Sequence, residues 1–183
     1  MTLLRKCLLE LRARHQDYQM NELNGHDIED LRPGMHATFS KTITEADIVL
    51  FAGVSGDNNA VHTNEEFAQT TTFGGRIAHG FLTASVISAA VANRLPGPGT
   101  VYLAQQLKFR APVRPGDTVH ATVTVLSVDE AKARAVLSTV CRVGDKVVIE
   151  GEATVMTTSV VRRLAQAPAL RAGAQPSPAG IPA

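Results

Sequence analysis

Asp57, Asn59 and His62 place a carboxylate, an amide and an imidazole within six residues of one another. The segment that carries them, Phe51-Ala-Gly-Val-Ser-Gly-Asp-Asn-Asn-Ala-Val-His62, is rich in residues that favour turns. A carboxylate can take a proton from a water molecule as its oxygen attacks. An imidazole, which ionises near neutral pH, can share that water and donate or relay a proton. Asn59 can orient the water, or a pantetheine-like arm, by hydrogen bonding. Further along, His79-Gly80-Phe81 opens an uncharged stretch of helical character. At Gly80 a backbone N–H, aided by the positive end of the helix dipole, can meet a developing oxyanion. Glycine there also lets a substrate approach the main chain closely. The two segments together predict addition of water to, or its removal from, an activated acyl group. Such a reaction needs a base for the water, an acid for the α-carbon, and donors for the carbonyl oxygen.

Taken singly, each residue also has a structural reading. An aspartate after glycine serves local hydrogen bonds in many turns. His62 can be a satisfied surface or core histidine. His79 reads as structural, capping the helix or contacting a sheet, and Gly80 as a site of tight packing. The chemistry comes from the set, not from any member.

Elements must position that set. Ala37–Ile43 predicts a first strand. Thr44-Glu45-Ala46-Asp47 predicts a helix start, with Thr44 as cap and acids suited to the dipole. Gly53 and Gly56 end that helix. Asn64 caps a short helix through Ala68, and Phe73-Gly74-Gly75 is a loop. From Gly80 to Asn93 apolar residues fall on nearly every face, which predicts a helix buried all round; Leu95-Pro96-Gly97 stops it. Strands follow over Val101–Arg110, Thr118–Asp129, Ala133–Val143 and Lys146–Thr157, the last two joined at Gly144-Asp145. One buried helix followed by long antiparallel strands is an α+β architecture, with the sheet wrapped over the helix.

With 183 residues the chain can hold one domain with a proper core. Hydrophobic residues at 44% and charged residues at 19% mark a globular protein. A net charge of +1 argues against nucleic-acid and anionic-membrane partners, and the absence of Trp against base-stacking platforms. Ile77–Asn93, the longest uncharged run, falls short of the roughly 20 apolar residues that span a bilayer. Cys7 and Cys141 lack metal or redox spacing and read as free thiols of a reducing cytoplasm, with no metal site. Met1–Gln19 forms a basic amphipathic stretch without the apolar core or cleavage site of an export signal, and Met20 offers an alternative start. The domain plan is therefore an N-terminal extension over 1–24, a folded unit over 25–158 and a flexible Ala/Pro-rich tail over 159–183.

The pattern Phe51-x-x-Val-Ser-Gly-Asp-x-Asn-Ala-Val-His62, with Ala68 after five intervening residues, resembles the signature of the (R)-specific enoyl-CoA hydratases, the MaoC-like hydratases. Arg76-Ile-Ala-His-Gly-Phe-Leu is similar to that family's entry into its central helix. Phe109-Arg-Ala-Pro-Val-Arg-Pro-Gly-Asp117 is similar to its strand-and-turn segment, so the likeness spans roughly residues 35–157. The resemblance implies a hot-dog fold, a homodimer in which two sheets join, and reversible syn hydration of a trans-2-enoyl-CoA to an (R)-3-hydroxyacyl-CoA. It assigns Asp57 and His62 to water activation, the Gly80 N–H to the thioester oxygen, Ser88 to the acyl pocket and Asn59 to orientation. No cofactor is implied, since coenzyme A is part of the substrate. The family's motif usually carries proline where this chain has Ala60; proline would stiffen the turn, and alanine leaves the catalytic groups in place.

Lys108, Arg110 and Arg114 cluster near the strand-and-turn segment and are candidates for the coenzyme's phosphates, or else a solvated strand edge. The acyl pocket is expected between the central helix and the Asn64–Phe73 overhang. Small residues Ala84, Ser85, Ser88, Ala89 and Ala92 there either leave room for a short to medium acyl chain or allow close packing on the sheet. A hot-dog thioesterase and a non-catalytic acyl-CoA-binding subunit are the alternatives; neither needs the Asp57, Asn59 and His62 set.

Overall fold

The segments that alternate most strictly in sequence become the sheet. The computed structural model describes residues 25–162. Its five strands are β1 (His36–Thr42), β2 (Val101–Phe109), β3 (Thr118–Asp129), β4 (Arg134–Val143) and β5 (Lys146–Met156). All pairings are antiparallel, in the order β1-β3-β4-β5-β2, so β1 and β2 are the edges. Along β3, Val119, Ala121, Val123 and Val125 all point into the core, as a period of two requires. Ala135, Leu137 and Cys141 of β4 and Ile149, Ala153 and Val155 of β5 join them on the same face. Burial pushes the Cys141 thiol up to about 12, so it packs as a small apolar group.

Against this face lies α4 (Gly80–Asn93), which contacts β1, β3 and β4. Leu82, Val86, Ile87, Ala90 and Val91 form its buried side. Each of the larger ones contributes roughly 1.5–3 kcal/mol by burial, which fixes the helix and therefore its first turn. The expectation of burial all round is corrected: Phe81, Ser85, Ser88 and Ala92 form an exposed stripe. Those positions recur at helical spacing on the side opposite the sheet. A single sheet covers one side only, and the outer side, though uncharged, is built of Phe81, two serines and Ala92.

Among the described residues three α-helices precede α4: α1 (Glu45–Ser55), α2 (Ala60–Thr63) and α3 (Glu65–Gln69). A reciprocal capping box starts α1. The Asp47 N–H donates to Thr44 Oγ1 (3.2 Å), and the Thr44 N–H donates to Asp47 Oδ2 (2.8 Å). Gly53 lies inside α1 rather than ending it; Gly56 is the terminator, in the left-handed region at φ 76°. The Thr44 N–H and hydroxyl, with Lys41 next to them, hold the Asp47 carboxyl down at about 2, from an ordinary 3.8. A lowered folded value means the stabilisation is complete above pH 4 and is lost as pH falls towards 2. Asp47→Ala is therefore expected to cost about 1 kcal/mol in urea denaturation at pH 7. The gap from the parent should close near pH 2; a gap that persists there would show that the carboxylate is not its source.

Residues 159–162, assigned to the tail by sequence, are tied to the body. The Val160 N–H donates to Glu29 Oε2 (3.2 Å), and Arg162 donates to the Ala131 carbonyl (2.6 Å). The remaining tail, the extension over 1–24 and Cys7 lie outside the described residues. Among the described residues no helix is long and apolar enough to cross a membrane.

Candidate active site

After Gly56 the chain runs irregularly through Asp57 and Asn58 and enters α2 at Asn59, which caps it. Asn59 Oδ1 accepts from the Val61 N–H at 3.3 Å. Asn59 thus has a structural task, turning the chain so that His62 points inward. Ala60 is the first residue of that helix, a position that tolerates proline because its N–H has no intrahelical partner. Either residue fits there, which explains why Ala60 leaves the turn intact.

His62 is buried while Asp57 is exposed. The Nδ1 of His62 lies 2.8 Å from the Ile77 carbonyl oxygen. A carbonyl can only accept, so Nδ1 carries the hydrogen and Nε2 keeps its lone pair. Asp57 Oδ1 accepts from the Asn59 N–H at 3.3 Å. Candidate ligand atoms of Asp57, His62 and His79 all lie within 4.8 Å of one another. Two hydrogen bonds of about 2.8 Å meeting at a tetrahedral water span roughly 4.6 Å. The 4.8 Å upper bound puts the Asp57 carboxylate and a ring nitrogen of His62 within reach of one bridging water. The rings of His62 and His79 lie against each other, with centroids 3.8 Å apart and planes tilted by 31°.

Beside this pair is a cavity of about 330 Å³, lined by His62, Ile77, Gly80, Thr83, Phe109 and Arg110 among others. Asp57 and Asn59 are not in its wall. Gly80 is the first residue of α4, and its neighbour His79 gives that helix no side-chain cap, which corrects the capping role expected for His79. A Cβ built on Gly80 would meet Phe109 Cε1 at 2.8 Å. Glycine is required there for the ring to lie against the helix start.

The remaining predicted residues separate. Arg110 reaches the cavity wall, but its guanidinium is paired with Glu150 (Nε to Oε1, 3.0 Å), whose carboxyl it holds below the usual range. Lys108 is exposed on edge strand β2, opposite Glu150 in register. Arg114 is exposed and bonded to the Phe73 carbonyl, while its N–H donates to Asp117 (2.7 Å). Ser88 lies two turns along α4 on the exposed stripe, outside the cavity lining. None of the five small residues of the helix lines that cavity; its wall comes instead from Phe73, the Phe109–Val113 segment and Ile149. Sequence reasoning missed Thr83, although it stands one turn beyond Gly80 on the same face. It also gave Arg76 no task. That side chain bonds both Glu45 carboxylate oxygens (2.9 and 2.6 Å) and reaches Glu65 (3.3 Å), tying α1 and α3 to the loop before α4.

The five-stranded antiparallel sheet with its central helix is a hot-dog domain. Residues 30–148 match the family described as MaoC like domain. The chain is 57% identical over 131 residues to an (R)-specific enoyl-CoA hydratase of Rhodospirillum rubrum, covering 72% of this chain and 91% of that protein. It is 50% identical over 127 residues to a 3-hydroxybutyryl-CoA dehydratase of Methylorubrum extorquens, covering 69% and 81%. Among solved structures, the unliganded R-hydratase PhaJ1 of Pseudomonas aeruginosa superposes with a TM-score of 0.70 at 42% identity, covering 74% of this chain and 87% of that one. The (R)-hydratase of A. caviae, described as involved in PHA biosynthesis, gives 0.68 at 39%, covering 70% and 98%. The chain belongs to the MaoC-like family.

Proposed function

We propose that this protein catalyses the reversible syn hydration of trans-2-enoyl-CoA to (R)-3-hydroxyacyl-CoA, making it a hydro-lyase. The observation that carries this reading is the Asp57–His62 spacing, which fits one bridging water, next to a cavity that begins at the uncapped first turn of α4. Asp57 takes a proton as the water oxygen attacks the β-carbon. His62 Nε2, free to accept because Nδ1 is bonded to Ile77, takes that proton on from Asp57 and passes it to the α-carbon, which returns Asp57 to its carboxylate. The Gly80 N–H stabilises the enolate oxygen as charge develops. Asn59 holds the turn, and its amide N–H groups can help orient the water or the substrate arm. Arg110, at the wall, is the best placed of the three cations to meet a coenzyme phosphate by exchanging its Glu150 partner, with Lys108 and Arg114 further out.

The names of the relatives support an acyl-CoA substrate, and one of those relatives is described as involved in PHA biosynthesis. Phe81 (68% exposed), Val101, Leu103 and Phe109 leave apolar surface on α4 and on edge strand β2. A second copy meeting this edge would bury it and join two sheets into one, so the working unit is a homodimer. Ser88, on the exposed stripe, would then meet the acyl chain only where the dimer completes the pocket. The reaction needs no cofactor beyond the coenzyme on the substrate, and the lack of disulfide or metal spacing between Cys7 and Cys141 in sequence supports a reducing, cytoplasmic setting.

The test is turnover of crotonyl-CoA and of eight- and twelve-carbon trans-2-enoyl-CoAs, with chiral analysis of the product. Loss of the enoyl absorbance with an (R) product, fastest on the shorter chains, is expected. Release of free thiol without hydration would identify a thioesterase, and binding without turnover a non-catalytic subunit. A preference for the twelve-carbon chain would overturn the short-to-medium assignment.

A further inference from the structure

We infer that His79 is a positioning residue that sets the geometry of both Asp57 and His62. It rests on the hydratase reading for its kinetic consequence and on geometry alone for its structural one. His79 is 1% exposed and stands at the junction between the loop and α4. Its Nε2 lies 3.0 Å from the carbonyl oxygen of Asp57. Because that oxygen can only accept, Nε2 carries the hydrogen. Nδ1 is then a bare lone pair, buried and without a partner among the described residues. An imidazole that leaves one nitrogen unsatisfied in the core is a costly choice for packing. An apolar ring of similar shape would fill the space without that cost, so the donor at Nε2 is the part being kept.

The bond matters because of what else holds Asp57. Its N–H donates to Ser55 Oγ at 3.2 Å, and its Oδ1 accepts from Asn59 at 3.3 Å. Both partners are two residues away, Ser55 at the end of α1 and Asn59 at the cap of α2, so both bonds are local in sequence. The bond from His79 spans 22 positions and joins that stretch to the helix that anchors the core. The ring of His79 does a second thing. It lies between Phe51 (centroids 4.9 Å apart) and His62 (3.8 Å), forming one wall of the slot in which the His62 imidazole sits. His62 is held in its plane at the edge by Ile77 and on one face by His79. A third link follows from covalent geometry, since the Gly80 N–H belongs to the peptide that joins it to His79. His79 thus ties together the backbone that carries the Asp57 carboxylate, the imidazole of His62 and the oxyanion donor.

Two variants separate the bond from the stack. His79→Phe keeps a ring against His62 and removes the donor; His79→Gln removes the ring and keeps an amide N–H at about the reach of Nε2. Displacing catalytic groups by about 1 Å costs on the order of 10²-fold, so His79→Phe is expected to lower kcat on crotonyl-CoA about 100-fold with KM within about threefold. His79→Gln should recover at least about tenfold of that loss through the restored donor. A residue that served packing alone would give the opposite order, because Phe is the better filler of an apolar slot. A His79→Phe enzyme with near-normal kcat, or a loss confined to KM, overturns the inference. Long-range proton–nitrogen spectra of the unmodified protein supply an arm that needs no folded variant and no activity. They should read a single Nε2–H tautomer for His79 and Nδ1–H for His62. An Nδ1–H tautomer at His79 overturns the inference whatever the enzyme does. Should the parent protein fail to hydrate any enoyl-CoA while both tautomers are as stated, the functional reading falls and the positioning geometry stands.

Discussion

Asp57→Asn and His62→Asn are each expected to lower the rate of crotonyl-CoA hydration by about 10²–10⁴-fold, the range for positioned acid–base groups, while the protein stays folded. The choice of asparagine in both places follows from the hydrogen bonds. At Asp57 the amide keeps an oxygen for the Asn59 N–H but loses the negative charge that draws a proton from water. At position 62 the amide N–H can replace Nδ1–H as donor to the Ile77 carbonyl. Alanine there would leave that buried carbonyl unpaired at a cost of about 1–3 kcal/mol, mixing a stability loss with a chemical one. Both residues act on the same water, so the double variant should be little slower than the worse single one. Stopped assays on the three variants beside thermal melts check this. Single variants within a few-fold of the parent, or losses that multiply, would show that the two groups do not serve one proton transfer.

What sequence could reveal here follows from separation along the chain. Asp57 and His62 are close in space because they are close in sequence and a capped turn joins them; the residue types alone carried that far. Thr44 with Asp47, and Asn64 with the Phe67 N–H, are caps whose partners lie three residues away, and both form as read. The β3 alternation predicted its buried face for the same local reason. His79 is different. Its partners, Asp57 and Phe51, belong to elements that only the packing of α4 brings to it, and nothing in its neighbours signals them. The cavity wall has the same origin: Phe109–Val113 arrives from the end of β2, long after the helix it faces. Ser88 shows the converse limit. Its place in a familiar pattern marks a helical position, but which side of the helix meets the cavity depends on what covers the stripe from outside.

Gly80→Ala is expected to reduce turnover about 100-fold, the cost of a displacement near 1 Å, while barely changing stability. Two opposing terms make the stability effect small. Alanine in a helix is favoured over glycine by about 1 kcal/mol, and the backbone at Gly80 needs no left-handed conformation, since it is absent from the glycines with positive φ. Against that gain, the new methyl stands 2.8 Å from Cε1 and 3.1 Å from Cδ1 of Phe109. The first is closer than a Cβ contact tolerates and the second is tight, so either the ring or the helix start must yield. Phe109 is half exposed and rests edge-on against Phe81 (centroids 5.7 Å). Its ring can swing, but it swings within the cavity wall, where the acyl thioester is proposed to lie. The N–H of residue 80 remains present in the variant, so any loss reports where the donor points and how much room its target has, not whether a donor exists. Trimming the ring separates these. If crowding by Phe109 is the cause, the double variant Gly80→Ala/Phe109→Leu should regain at least tenfold over Gly80→Ala, roughly one pair-coupling energy of 1.4 kcal/mol. Additive losses in the double variant would instead mean that the first turn of α4 itself has shifted, and would place the oxyanion donor under the control of backbone geometry and not of the ring beside it.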